Sequence, residues 1–191
     1  MRAITFDIEA ISPNFTRGRL DVNEMELTVV GIHDSSTGDY SAFTRDELPK
    51  LWPVIEAADM LIGYNSDTFD IPLLNRYYPG DLSKIRSLDL LAEIYKTLGR
   101  RLRLEAVAQA TLGRGKTGHG LEAGEWWQKG EYEKVKKYCI EDVRLTRDLY
   151  DYALTHGGLR YKELNKKKEI KLDTLGWTEG GGAALTHTLG I

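Results

Sequence analysis

The chain has 191 residues, of which 41% are hydrophobic and 29% charged, and a net charge of −3. That length supports one domain with a sizeable core, and a balance so near neutral excludes a globally basic nucleic-acid coat, leaving only a local patch for such a partner. A single cysteine, Cys139, excludes an internal disulfide and a cysteine zinc cluster.

In chain order, residues 2–9 read as a strand. "ELTVVGIHD" (26–34) and "YSAFT" (40–44) read as two more, joined by a turn-rich "SSTG". Together they predict a three-stranded antiparallel meander. "RDELPKLWPVIEAA" (45–58) reads as a helix with Asp46 as cap, and "DMLIGYN" (59–65) as an apolar strand. A short helix is expected over 69–78, with Pro72 in its first turn, and a fifth strand over 85–90. Helices follow at 91–99, closed by Gly99, and at 101–113, closed by Gly113. Residues 113–125 read as a glycine-rich loop. The strongest helix is 131–154, where Val135, Cys139, Val143, Thr146, Leu149, Tyr150 and Ala153 mark one face. Beyond Gly157–Gly158, the segment 159–177 reads as a hairpin with a basic tip, and the end of the chain as weakly ordered. The whole predicts an α/β fold: a mixed five-stranded sheet, antiparallel then parallel, flanked by helices and carrying a C-terminal hairpin. In such sheets sites form at strand ends near the point where strand order reverses.

Within the first strand, Ile4, Phe6 and Ile8 alternate with Thr5, Asp7 and Glu9. A period of two places both carboxylates on one face. Two adjacent acids in apolar surroundings repel unless a cation sits between them; on a wet face they would be incidental. "GYNSDTFDIPLL" (63–74) puts Asp70 at a helix start, where an acid also serves the helix dipole and Asp67 is an alternative cap. "YCIED" (138–142) places Tyr138 and Asp142 one helical turn apart, with Asp142 bordering the apolar stripe, where an unpaired acid is costly. Acids converging from a strand and two later helices are how oxygen-ligand Mg²⁺ or Mn²⁺ sites are assembled. Two such ions, about 3.5–4 Å apart, clamp the attacking and leaving oxygens of phosphoryl transfer.

"FDIEA", "GYNSDTFDIPLL" and "YCIED", in that order, resemble the three motifs of the DEDD, or DnaQ-like, 3′–5′ exonuclease superfamily with its ribonuclease-H-like fold. Tyr138 and Asp142 match the tyrosine subclass (DEDDy); the histidine subclass is not matched, because position 137 is lysine. The exonuclease domains of family B polymerases and small stand-alone relatives look most similar. The resemblance covers roughly residues 2–155. It implies a metal-dependent 3′–5′ exonuclease domain at 1–156, with 157–191 as a hairpin and tail outside it. It further implies two Mg²⁺ or Mn²⁺ ions, both bridged by Asp7. Glu9 and Asp142 would hold the ion that activates water, and Asp70 would help position the second, partly through water. Tyr138 would orient the water, its ordinary pKa near 10 making it a poor base. Asn65 and Phe69 match positions that contact the terminal nucleotide. The expected partner is nucleic acid with a free 3′ end, single-stranded DNA ahead of RNA. A protein partner is left open, and no membrane or signal segment is expected. A chain of this length has no room for a polymerase domain, so proofreading in cis is not expected, and a reducing cytoplasm is the expected compartment. The competing reading is a catalytically silent nucleic-acid-binding or docking module on the same fold.

Other features read more plainly. "ATLGRGKT" (110–117) approaches a nucleotide-binding loop but follows a helix rather than a strand. His33, His119, His156 and His187 show no metal spacing. Trp126 and Trp127 read as packing before the last helix, with stacking on bases as the alternative, and Asp89 as a strand-end or cap acid. Lys134, Lys136 and Lys137 read as a solvated helix face. Arg100, Arg101, Arg103, Arg114 and Lys116 flank the glycine-rich loop as a candidate phosphate track.

Overall fold

The computed structural model describes residues 1–12, 22–115, 120–164 and 166–179. Lys116, His119, His187 and the last twelve residues lie outside them. Five strands form one sheet: β1 (Ala3–Ile11), β2 (Glu26–Asp34), β3 (Tyr40–Thr44), β4 (Met60–Gly63) and β5 (Ser87–Asp89). Their order is β3-β2-β1-β4-β5. The β1–β2 and β2–β3 pairs are antiparallel, and the β1–β4 and β4–β5 pairs parallel. The expected mixed sheet is therefore present, with β1 at its centre, between antiparallel β2 and parallel β4.

Helices α1 (Leu48–Glu56), α2 (Asp70–Asn75), α3 (Leu90–Leu98), α4 (Leu104–Leu112), α5 (Gly120–Gln128) and α6 (Tyr132–His156) flank the sheet. Ile4, Phe6 and Ile8 pack on one face with Leu51, Ile55, Leu73 and Leu74. Helix α6 covers the other, joining Val135 and Cys139 to Val29. A Cβ built on Gly31 of β2 would lie 2.9 Å from Cys139 Sγ and 3.1 Å from Val143 Cγ2. Only glycine lets α6 settle this close to the sheet, and α6 carries Tyr138 and Asp142. The hairpin strands β6 (Gly158–Glu163) and β7 (Lys166–Lys171) form a separate two-stranded sheet. Its Leu159, Tyr161 and Ile170 share a core with Leu104, Leu145 and Leu149.

Several local expectations are corrected. Asp46 is not the cap: residues 45–47 form a short 3-10 turn, and the Glu47 carboxylate accepts from the Thr44 N–H at 3.1 Å. The reciprocal geometry of a carboxylate three residues downstream wins over its neighbour. Asp67 does not cap α2 either, because its Oδ1 accepts from the Ser87 hydroxyl at 2.6 Å. The 101–113 helix begins only at Leu104. The stretch expected to be loop to 125 becomes helical from Gly120, where α5 packs Ala123 and Trp126 against Tyr138 and Cys139. Burial of that apolar face outweighs the poor helix propensity of Gly120 and Gly124.

Candidate active site

The carboxyl ends of the parallel strands β1, β4 and β5 set the site. At the end of β1 the register with β2 slips between Glu9 and Ala10. This bulge leaves Thr28 over, and its hydroxyl donates to the Glu9 carbonyl at 2.9 Å. A bulge bends the strand and re-aims the side chains beside it. Asp7 and Glu9 are half-buried on the face beneath α6.

Beyond β4 the chain turns through Asn65, whose φ of 71° lies in the left-handed region. Asparagine tolerates it better than most residues. The turn is held by Asp89 at the end of β5, which accepts from the N–H groups of Asn65 (2.7 Å), Asp67 (3.2 Å), Leu91 (2.9 Å) and Ala92 (3.3 Å). Asp89 thus caps α3, as the sequence indicates, and also fixes the loop leading to Phe69 and Asp70. Asp70 opens α2 almost fully buried, 4% exposed, with Oδ1 accepting from the Ile8 N–H at 3.1 Å. Burial pushes its carboxyl up to about 7, the nearby Asp89 and Asp142 adding to the effect.

Helix α6 supplies Tyr138 and Asp142 from one face, both buried. The Tyr138 ring stands edge-on to Trp126, centroids 6.1 Å apart, so the tryptophan packs as read from the sequence and also braces the tyrosine. Cys139 Sγ lies 3.3 Å from the Asp7 carbonyl and 3.8 Å from its carboxylate Oδ2. Burial, together with Asp7, Glu9 and Asp142, holds this thiol well above its ordinary pKa. Its Sγ and one carboxylate oxygen each of Asp7 and Glu9 lie within 4.8 Å of one another, a group that could hold a metal ion.

Asp7, Glu9, Asn65, Phe69, Asp70, Tyr138 and Asp142 all line one open pocket of about 230 Å³. Every site residue singled out in the sequence is brought there. The described lining holds four carboxylates and no lysine, arginine or histidine. A donor set of oxygens, rich in negative charge and without an internal cation, fits a hard divalent ion such as Mg²⁺ or Mn²⁺.

Three contributors were not legible as such. Asp89 organises the Asn65 turn, Cys139 abuts Asp7, and the Arg101 guanidinium donates to Asn65 Oδ1 at the pocket rim. The rest of the candidate phosphate track is engaged differently. Arg100 pairs with Glu163 at 2.8 Å, and Arg114 pairs with Asp148. On α6, outside that track, Lys134 pairs with Glu131 just before the helix, and Lys136 reaches across to Glu47 of the 45–47 turn.

The family model described as the RNase H superfamily matches residues 4–154. The chain belongs to the RNase H superfamily. No curated protein matches its sequence. Among solved structures, this RNase H superfamily chain is similar to the family B DNA polymerase from the hyperthermophilic archaeon Pyrobaculum calidifontis, at 20% identity and a TM-score of 0.63. The likeness covers 80% of this chain and 24% of the polymerase, so it concerns the fold of about a quarter of that protein. The superfamily match ends inside α6, before the hairpin begins. No helix among the described residues is long and apolar enough to cross a membrane.

Proposed function

We propose that the chain is a metal-dependent 3′–5′ exonuclease of the tyrosine (DEDDy) subclass, hydrolysing phosphodiester bonds from the 3′ end of single-stranded DNA. The observation that carries this reading is the convergence of Asp7, Glu9, Asp70 and Asp142 with Tyr138 around one pocket at the carboxyl end of β1. Residues 1–156 form the catalytic domain, and 157–191 add a hairpin and tail. The likeness to part of a DNA polymerase favours DNA over RNA.

Asp7, Glu9, Asp70 and Asp142 would hold two Mg²⁺ or Mn²⁺ ions, which when bound acidify water and neutralise charge on the scissile phosphate. The chain's own residues do the positioning. The phenol of Tyr138, braced by Trp126, orients the attacking water by hydrogen bonding without acting as its base. Phe69 offers an apolar surface to the terminal base. Asn65 offers its amide to the terminal nucleotide, its side chain held by Arg101 and by the Thr68 hydroxyl at 2.8 Å. A reducing compartment such as the cytoplasm suits the buried free thiol.

The test is a cleavage assay on 5′-labelled single-stranded DNA and the matching RNA, with Mg²⁺, Mn²⁺ or EDTA, beside Asp7→Ala. The expected result is a metal-dependent ladder shortening from the 3′ end, faster on DNA and lost in the variant. A faster RNA ladder would make the chain an exoribonuclease. Binding without cleavage of either strand would make it a docking module.

A further inference from the structure

The hairpin β6–β7 lies beyond the superfamily match, and none of its described residues lines the pocket. Its charge is out of keeping with the rest of the chain. Between Gly158 and Lys171 stand six lysines and arginines against two glutamates, in a chain whose net charge is −3. The register divides them by face. Leu159, Tyr161 and Ile170 point into the core, so the partnered pairs Arg160–Glu169 and Lys162–Lys167 stand on the outer face. Lys162 and Lys167 are directly opposite one another and exposed. A like-charged cross-strand pair is destabilising in isolation. Single edge lysines suffice to protect a strand from aggregation, so edge protection does not call for this pairing.

The hairpin is also tied to the pocket. Arg101 reaches Asn65 at the pocket rim, while its chain neighbour Arg100 pairs with Glu163 at the hairpin tip and lies 4.9 Å over the Tyr161 ring. Two adjacent residues thus bridge the sites, their Cα atoms about 3.8 Å apart. With both side chains fully extended in opposite directions the tip lies at most on the order of 20 Å from Asn65, within reach of a strand a few nucleotides long.

We propose that the outer face of the β6–β7 hairpin, through Lys162 and Lys167, binds the phosphate backbone of the nucleic-acid strand whose 3′ end occupies the pocket. The inference rests on the nuclease reading for what occupies the pocket, but its test is binding and not cleavage. A terminal-nucleotide pocket alone gives few phosphate contacts; the hairpin adds a second anchoring point several nucleotides upstream. Binding is then length-dependent and steeply sensitive to salt.

The experiment measures affinity of the full chain for a 5′-fluorescein-labelled 20-nucleotide single strand in EDTA, from 25 to 250 mM KCl. Wild type is compared with the double variants Lys162→Ala/Lys167→Ala and Lys162→Arg/Lys167→Arg. The alanine variant is expected to bind about tenfold more weakly at low salt and to lose about 1.4 from the slope of log affinity against log salt, the contribution of two single-strand phosphate contacts. The arginine variant is expected to keep the wild-type slope. Thermal melting should show the alanine variant folded and no less stable, because a like-charge pair is relieved. An unchanged slope in the alanine variant overturns the proposal and leaves the lysines as edge protection. Cleavage by wild type in Mg²⁺, measured alongside, keeps the two readings apart: an unchanged slope in a protein that cleaves sinks the hairpin alone. A protein that binds with the hairpin-dependent slope but does not cleave sinks the nuclease reading alone.

Discussion

The backbone N–H of Ile8 donates to Oδ1 of Asp70 over 3.1 Å. Ile8 stands between Asp7 and Glu9, so the strand that presents two of the acids also holds the third in place. The contact is made by backbone, which makes the orientation of Asp70 insensitive to the side chain at position 8.

Replacing Asp70 by asparagine keeps an oxygen for the Ile8 N–H and removes only the charge. Burial already pushes this carboxyl up to about 7, so a neutral amide suits the position. Asp70→Asn is expected to melt at the same or a higher temperature in EDTA. Its Mg²⁺-dependent cleavage should fall about 100-fold or more, the scale for losing an electrostatic group at a reacting centre. Melting curves and single-turnover cleavage check both halves, and a variant with full activity would remove Asp70 from the reaction.

Tyr138→Phe retains the edge-on packing with Trp126 and loses the hydroxyl. If the phenol only positions water, kcat should drop about tenfold to a hundredfold, at the lower edge of acid–base contributions, with KM little changed. Steady-state kinetics decide it; wild-type turnover would make the tyrosine a packing residue.

Asp89→Ala removes one acceptor from four backbone N–H groups. Loss of a helix cap and of a buried carboxylate acceptor should cost about 2–4 kcal/mol, read from urea unfolding. With the Asn65 turn released, KM should rise more than kcat falls. Unchanged KM and kcat in a destabilised variant would show that Asp89 serves stability alone.

Far from the pocket, Arg2 Nη2 donates to Asp34 Oδ2 at 2.6 Å. The guanidinium and the Ser36 contacts hold the Asp34 carboxyl down at about 2. A carboxyl depressed on folding stabilises the native state above its ordinary titration range, and that stabilisation is lost as pH falls through the folded value. Arg2→Ala is therefore expected to cost about 1–2 kcal/mol at pH 7. The gap from wild type should narrow between about pH 4 and 2. Urea melts across that range measure it, and a gap constant with pH would show that Arg2 acts through packing.

The four acids were legible because each stands in a local pattern with a cost attached. Asp7 and Glu9 alternate with buried Ile4, Phe6 and Ile8, Asp70 opens a helix, and Asp142 borders an apolar stripe. The sheet followed from the same periodicities. What escaped depends on contacts distant in sequence. No local feature ties Arg101 to Asn65, or makes Asp89 accept from the Asn65 loop as well as from the start of α3. The β2 bulge at Thr28 leaves no mark in the alternation of β1. Helix α5 was hidden by its glycines, since its helicity comes from packing on α6 rather than from its own preferences. Asp46 and Glu47 are neighbours with the same charge, and only the three-residue reach back to Thr44 separates them.

Gly31 bears on measurement as much as on architecture. By admitting α6 to the sheet it seals Cys139 between them, with no exposed surface, and this is the chain's one thiol. A thiol reagent such as a nitrobenzoate disulfide can label it only when α6 lifts away, so the labelling rate in native buffer reads out the opening free energy of that helix. The same rate, followed during titration with Mg²⁺ or a DNA strand, turns a native cysteine into a gauge of how firmly each ligand clamps Tyr138 and Asp142 onto β1.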